Sequence, residues 1–302
     1  MRRKRLLAIA LVLLAAAAYA LRHLPGREPS SSPASRAVSP ALSPLRILSL
    51  SPNITEILFR LGLGEAVVGV TDFCRFPPEA AEKPKVGALL NPNLERMFLL
   101  EPTLVAALPA HGDLPRRLAA RGIRALILPN DTVADVFAAI GSIGGATGRA
   151  ERAAALVDSI RADIERARAN PPARRWKTML VVSRTPGTVR DVFVAGPGTF
   201  LDELLRMAGG ANAFEGAIAR YPEPGAEEIL YRNPEVIIEI RPLGTNAGTE
   251  TSLARADWSV LPGLAAGERG NVFVLVGDHL VVPGPRLGAT LRDLIGVLRE
   301  VR

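Results

Sequence analysis

RAERAAALVDSIRADIERAR, residues 149–168, runs for twenty positions without Gly or Pro. Ala153, Leu156, Val157, Ile160 and Ile164 recur at helical spacing and fall on one face. Asp158–Arg161, Arg161–Glu165 and Asp163–Arg166 are spaced for side-chain pairs along the same helix. Twenty residues make a rod about 30 Å long. Asn170-Pro171-Pro172 ends it. On both sides of this rod the chain has a different rhythm, and that contrast decides the fold.

Before the rod, short apolar runs alternate with short helical segments. Arg46 to Leu50 reads as a strand. Ser51-Pro52-Asn53-Ile54-Thr55-Glu56 reads as a helix start, with Pro52 suited to the first helical position and Asn53 with Glu56 spaced as a capping pair. That helix stops near Gly62 and Gly64. Strands follow at Val67–Val70, Leu104–Leu108 and Ile123–Leu128, with helices at Leu94–Leu100 and Leu114–Ala120. The Gly-rich run near Gly144 follows an apolar helix-like segment and reads as a helix break. After the rod the alternation restarts, with strands at Thr178–Val182, Val236–Ile240 and Val272–Val276. Helices are expected at Thr199–Met207, Ala226–Tyr231 and Leu287–Val301. The expected fold is α/β: two Rossmann-like lobes, residues 45–148 and 171–302, joined by a single long backbone helix at 149–170. The cleft between the lobes is the default ligand site. One stiff helix resists bending better than a pair of strand linkers, so only a small closure on binding is expected.

The N-terminus sets the compartment. Met1 to Arg5 is basic, Leu6 to Leu21 is an unbroken apolar run of 16 residues, and Ala18-Tyr19-Ala20 fits a cleavage pattern. Residues 1–21 therefore read as a secretory signal peptide, with an uncleaved anchor as the alternative for a run of borderline length. No Cys follows that run to carry a lipid. Residues 22–44 are rich in Pro and Ser and read as a flexible tether. The body of the chain is expected outside the cytoplasm, in the periplasm.

Nearly all of the formal net charge of +7 lies in the same region. Residues 1–44 hold seven of the 37 basic residues and one of the 30 acidic ones, which leaves the other 258 residues with a net charge of +1. Basic and acidic residues are interleaved there, so no nucleic-acid face is expected. The single cysteine, Cys74, rules out an intramolecular disulfide or a CxxC metal site. His23, His111 and His279 are scattered, and His23 lies in the tether, so no metal site is expected. No GxSxG elbow, P-loop or GxGxxG fingerprint is present, so no catalytic residue is assigned. A hydrolase built on Asp278, His279 and a remote Ser is the rival class; a membrane-tethered sensor is another.

Six pieces in order resemble the helical-backbone substrate-binding proteins of ABC importers, whose class includes receptors for vitamin B12, ferric siderophores and haem. They are RILSLSPNITEILFRLG, VVGVTDFCRFPPEA and NPNLERMFLLEPTLV before the rod, and AGPGTFLDELLRMAGGANAF, GAEEILYRNPEVII and GDHLVVPGPRLGATLRDLIGVL after it. The resemblance spans about residues 46–302. GVTDFCRFPP and GPGTFLDELL are most similar to vitamin B12 receptors. The class implies no resident cofactor, a corrinoid or other metal-chelate ligand, an ABC permease in the inner membrane as partner, and a monomeric chain.

The resemblance also implies residue roles. Glu95 in NLERM and Glu227 in GAEEIL match the carboxylates that pair with permease arginines, with Glu228 the competitor for Glu227. Two acidic knobs at a fixed separation would orient and steer the receptor. Phe73 and Phe76, in the loop after the Val67–Val70 strand, and Tyr221 are expected ligand walls. Asp278 and His279 follow the Val272–Val276 strand, where α/β proteins place ligand groups. The matching receptors have an acidic-then-aromatic pair at those two positions, and His279 departs from it. His279 either ligates a metal centre or forms a hydrogen bond. Arg286 either holds an anionic ligand group or caps the last helix. Cys74 either faces the ligand metal or is a small buried apolar residue.

Overall fold

The computed structural model describes residues 44–241 and 247–301. The expected signal at 1–21 and all of the tether except Pro44 lie outside the described residues.

The first lobe is built on a four-stranded parallel sheet ordered β2-β1-β3-β4, comprising β1 (Ile47–Ser49), β2 (Val67–Val70), β3 (Leu104–Ala107) and β4 (Arg124–Ile127). Parallel neighbours need crossovers, and α1 (Pro52–Arg60), α2 (Leu94–Leu99) and α3 (Leu114–Ala119) lie in them. β1 and β3 are buried throughout, as their apolar runs require for a sheet covered on both faces. α4 (Val133–Thr147) follows β4, and the chain breaks at Gly148 in the left-handed region before α5 (Ala150–Arg168).

The second lobe has the sheet order β6-β5-β8-β9, with β7 also beside β5. Its strands are β5 (Lys177–Ser183), β6 (Phe193–Val194), β7 (Ala211–Asn212), β8 (Val236–Arg241) and β9 (Val272–Val276). Among the described strands, only β6 pairs antiparallel. α6 (Phe200–Met207), α7 (Ala226–Arg232), α8 (Ala247–Trp258) and α9 (Leu287–Glu300) complete it. These are two Rossmann-like α/β lobes joined by one long helix.

α5 buries Ala153, Leu156, Ile160 and Ile164 as its pattern requires, adds Ala167, and leaves Val157 half-buried. It packs against α4 on one side and α9 on the other. A side chain at Gly144 would run into the Ala153 methyl, and one at Gly288 would meet Asp163 at 2.7 Å, so both contacts depend on glycine. One apolar cluster runs from Ile47 and Ile57 through Ile160 to Leu201, Leu291 and Leu298, making the lobes share a core along the rod. Two of the three expected surface pairs form: Asp158–Arg161 at 3.9 Å and Asp163–Arg166. The Arg161–Glu165 pair does not form. Arg161 reaches over the Phe137 ring of α4 at 5.2 Å, and Glu165 takes Arg168 at 3.1 Å.

Candidate functional site

The carboxyl ends of β1 and β2 and the segment after β9 meet in a cleft. Ser51 is the N-cap of α1, in extended geometry and without a side-chain capping bond, and Pro52 is the first helical residue. The expected Asn53–Glu56 capping pair is absent because both partners are engaged elsewhere. Asn53 Oδ1 accepts from the Ser51 hydroxyl at 2.5 Å. Glu56 lies a full turn into α1, beyond reach of the cap, and turns toward the other lobe.

There it meets Arg286. Arg286 Nε donates to Glu56 Oε2 at 2.9 Å and Nη2 to Oε1 at 2.5 Å, a two-pronged bridge between residues 230 positions apart. Planar guanidinium and planar carboxylate match in this geometry, which fixes orientation as well as distance. The Phe76 ring lies under the same guanidinium, 4.2 Å from centroid to Cζ. Arg286 is also the N-cap residue of α9 by position, but its side chain makes no capping bond: a guanidinium carries only donors and cannot accept from the free N–H groups of a helix start. The Glu56 side chain is only 2% exposed, and burial pushes its carboxyl above the usual carboxylate range. The hydrogen bond and charge of Arg286, and then His279, pull in the opposite direction.

The cavity above this bridge is about 290 Å³ and is walled by Phe73, Phe76, Arg75, Asp278, Val281 and Arg286. Phe73 and Phe76 are 56% and 42% exposed, a large apolar surface left open to solvent at a cleft. Four expected ligand residues, Phe73, Phe76, Asp278 and Arg286, therefore converge. The other two are placed differently. His279 Nε2 is 2.7 Å from Asp293 Oδ2 on α9, and the His279 carbonyl accepts from Thr290 Oγ1, so this histidine ties its loop to the helix. Tyr221 lies beside a second interlobe contact, where Arg220 Nη1 donates to Asp131 Oδ2 at 2.7 Å. Burial, and then the Asp131 charge, push its phenol up. At that same contact Phe200 N–H donates to the Asp131 carbonyl at 2.6 Å and Val133 N–H to Glu203 Oε2 at 2.8 Å.

Cys74 is fully buried behind the aromatic loop, with Thr55 Oγ1 at 3.1 Å and Thr71 Oγ1 at 3.2 Å from its sulfur. It is a packing residue of the first lobe's core. Under the second lobe's strand ends, Arg184 is sandwiched between Glu239 at 2.7 Å and Asp257 at 2.8 Å, and Trp258 Nε1 donates to Glu239 at 2.5 Å. These buried charges are paired and hydrogen-bonded, so they brace the ends of β5 and β8.

Glu95 lies in the first turn of α2, whose N-cap Asn93 accepts from Arg96 N–H at 3.0 Å. Glu227 lies in the first turn of α7. Both are exposed, and neither has a hydrogen-bond or ion-pair partner among the described residues. Glu228 differs: Arg232 Nε donates to it at 2.8 Å.

Sequence reasoning missed Glu56, Arg75, Val281 and the Asp131–Arg220 contact. Each side of the two bridges is an ordinary charged residue locally, and only the fold brings the partners together.

With a two-lobed fold, a stiff connecting rod and an aromatic cleft in place, the comparison with known proteins is direct. The profile of the Periplasmic binding protein family matches residues 47–276. The chain belongs to the periplasmic binding protein family. It is an extracytoplasmic binding protein and not an enzyme. An uncharacterized ABC transporter substrate-binding lipoprotein of Bacillus subtilis, YvrC, is 30% identical over 263 residues, which is 83% of this chain and 79% of that one. The periplasmic vitamin B12-binding protein BtuF of Vibrio cholerae is similar in structure, with a TM-score of 0.68 and 25% identity over 84% of this chain and 96% of that one. The periplasmic haem-binding protein RhuT of Roseiflexus sp. RS-1 gives 0.69 and 26% over 85% and 98%.

Proposed function

We propose that this periplasmic binding protein captures a corrinoid in the interlobe cleft and delivers it to the permease of an ABC importer, docking through Glu95 and Glu227. The observation that carries the ligand reading is the pair of open aromatic rings, Phe73 and Phe76, beside Arg286 and Asp278. A corrin ring is broad, apolar on its faces and polar at its rim. Aromatic side chains meet such a face, while Arg286 and Asp278 meet amide or phosphate groups at its edge. The likeness to BtuF supports this choice. The chain is exported through residues 1–21, is tethered by 22–44, and works as a monomer with lobes at 45–148 and 171–302 around the rod at 149–170. It carries no cofactor of its own.

A second reading has its own support. The Glu56–Arg286 bridge is an arginine already set in a carboxylate-binding geometry at the cleft. A ligand with carboxylates at its rim, such as haem, or a ferric siderophore would offer that arginine an alternative partner, and RhuT is similar over the whole fold.

Docking through Glu95 and Glu227 is supported by their position, one in the first turn of a short helix in each lobe, and by their lack of internal partners among the described residues. Glu228, held by Arg232, is the poorer candidate. Uptake of cyanocobalamin by vesicles carrying the importer tests both parts. Loss of uptake with E95A/E227A and retained ligand binding is the expected result; unchanged uptake would remove the docking assignment.

A further inference from the structure

The two candidate docking helices share more than a glutamate. On α2, Leu99 follows Glu95 by four residues; on α7, Tyr231 follows Glu227 by four. Residues four apart on a helix lie on the same face, one turn removed. Leu99 is 76% exposed and Tyr231 89%. Leu99 is the most exposed large apolar side chain of the first lobe among the described residues, and Tyr231 is surpassed in the second only by Ile218. Burial would stabilise either side chain, yet each helix turns a different residue inward: Met97 on α2 and Ile229 on α7 are fully buried. Each lobe therefore shows solvent the same two-part element: a carboxylate with no partner among the described residues, and a large apolar group one turn on.

In the first lobe this element borders a concavity of about 530 Å³ lined by Glu95, Phe98, Leu99, Glu101 and Arg121. Arg121 is stacked on the Phe98 ring at 4.0 Å. Two carboxylates and an apolar rim suit a basic side chain set in an apolar surface.

We infer that Leu99 and Tyr231 are docking contacts in their own right, and that each lobe grips the importer's outer face through a carboxylate paired with an apolar side chain. This rests on the docking reading of Glu95 and Glu227. The partner surface it calls for has two basic residues, each flanked by an apolar patch. The division of labour is physical. Exposed charge pairs steer the approach and weaken as salt rises, because the screening length falls to about 8 Å at physiological ionic strength. Apolar contact adds affinity that salt does not screen.

The experiment measures affinity of the full chain for the source organism's importer in lipid nanodiscs at three salt concentrations. The variants are wild type, E95Q/E227Q and L99S/Y231S. All four positions are exposed, and unchanged melting temperatures confirm that the variants fold. L99S/Y231S is expected to bind about tenfold more weakly, the size of one ordinary interface hot spot, with the salt dependence of wild type. E95Q/E227Q is expected to lose most of the salt dependence. If L99S/Y231S binds as wild type while E95Q/E227Q is weakened, the apolar contacts are wrong and the docking reading stands. If E95Q/E227Q binds as wild type with the same salt dependence, the docking reading fails and this inference falls with it.

Discussion

Among the described residues, two ion pairs cross between the lobes, and they differ in nearly every physical respect. Glu56–Arg286 is two-pronged, largely buried and stacked on Phe76 beside the aromatic cavity. Asp131–Arg220 makes a single side-chain hydrogen bond at 2.7 Å between groups that are 40% and 58% exposed. In the first, Glu56 is almost wholly shielded from solvent while Arg286 keeps one face, 20% exposed, toward the cavity. The second is solvated and replaceable, and backbone bonds from Phe200 and Val133 accompany it. The contrast places the demanding electrostatics beside the aromatic cavity and leaves the other seam to weak contacts and the rod.

The largest break in that contrast is Glu56→Ala. It leaves the Arg286 guanidinium facing a buried gap, and urea unfolding is expected to show a loss of about 3 kcal/mol. A loss no larger than that of Asp131→Asn would mean that the two bridges are equivalent.

Phe76→Ala removes the ring under Arg286 and half of the aromatic wall. Ligand affinity in a titration is expected to fall about tenfold, with a smaller loss of stability than in Glu56→Ala because the ring is 42% exposed.

A third test uses pH. Burial holds the Glu56 carboxyl above its ordinary value against the pull of Arg286 and His279, with Asp278 adding to the rise. Its folded state therefore binds a proton more tightly than its unfolded state. That contribution to stability is complete below the ordinary carboxylate range and is lost as pH rises through the raised value. Denaturation curves of wild type and Glu56→Gln, taken in parallel from about pH 4 to pH 7, should show wild type losing ground to the variant as pH rises. A constant difference would contradict the burial of this carboxyl. The smallest effect is expected from Asp131→Asn, about 0.5 kcal/mol, and less at high salt.

The rod and the strands were legible because their signals are local. The helical stripe of α5 and the apolar runs Val67–Val70 and Val272–Val276 stand in the structure where the pattern puts them. β6 and β7 escaped because two residues carry no period. α8 escaped because AGTETSLARADW lacks a clear apolar face. At the site, Phe73, Phe76 and Asp278 were visible as residues following strands, and Arg286 as a charged residue at the start of the last helix. Glu56 was read as part of a cap, because Asn53 and Glu56 have capping spacing and its true partner lies 230 residues away. The engagement of His279 with Asp293, fourteen residues on, has no local signature either.

The central claim is that the aromatic wall of this cleft holds a corrinoid. Calorimetric titration of the full chain with cyanocobalamin, alongside Phe73→Ala/Phe76→Ala, tests it most directly. Saturable heat with one ligand per chain, weakened at least about tenfold in the double variant, is the expected result. No heat from wild type at tens of micromolar, roughly where a −6 to −7 kcal/mol interaction would register, would contradict the corrinoid assignment. Equal binding by the double variant would contradict the cleft.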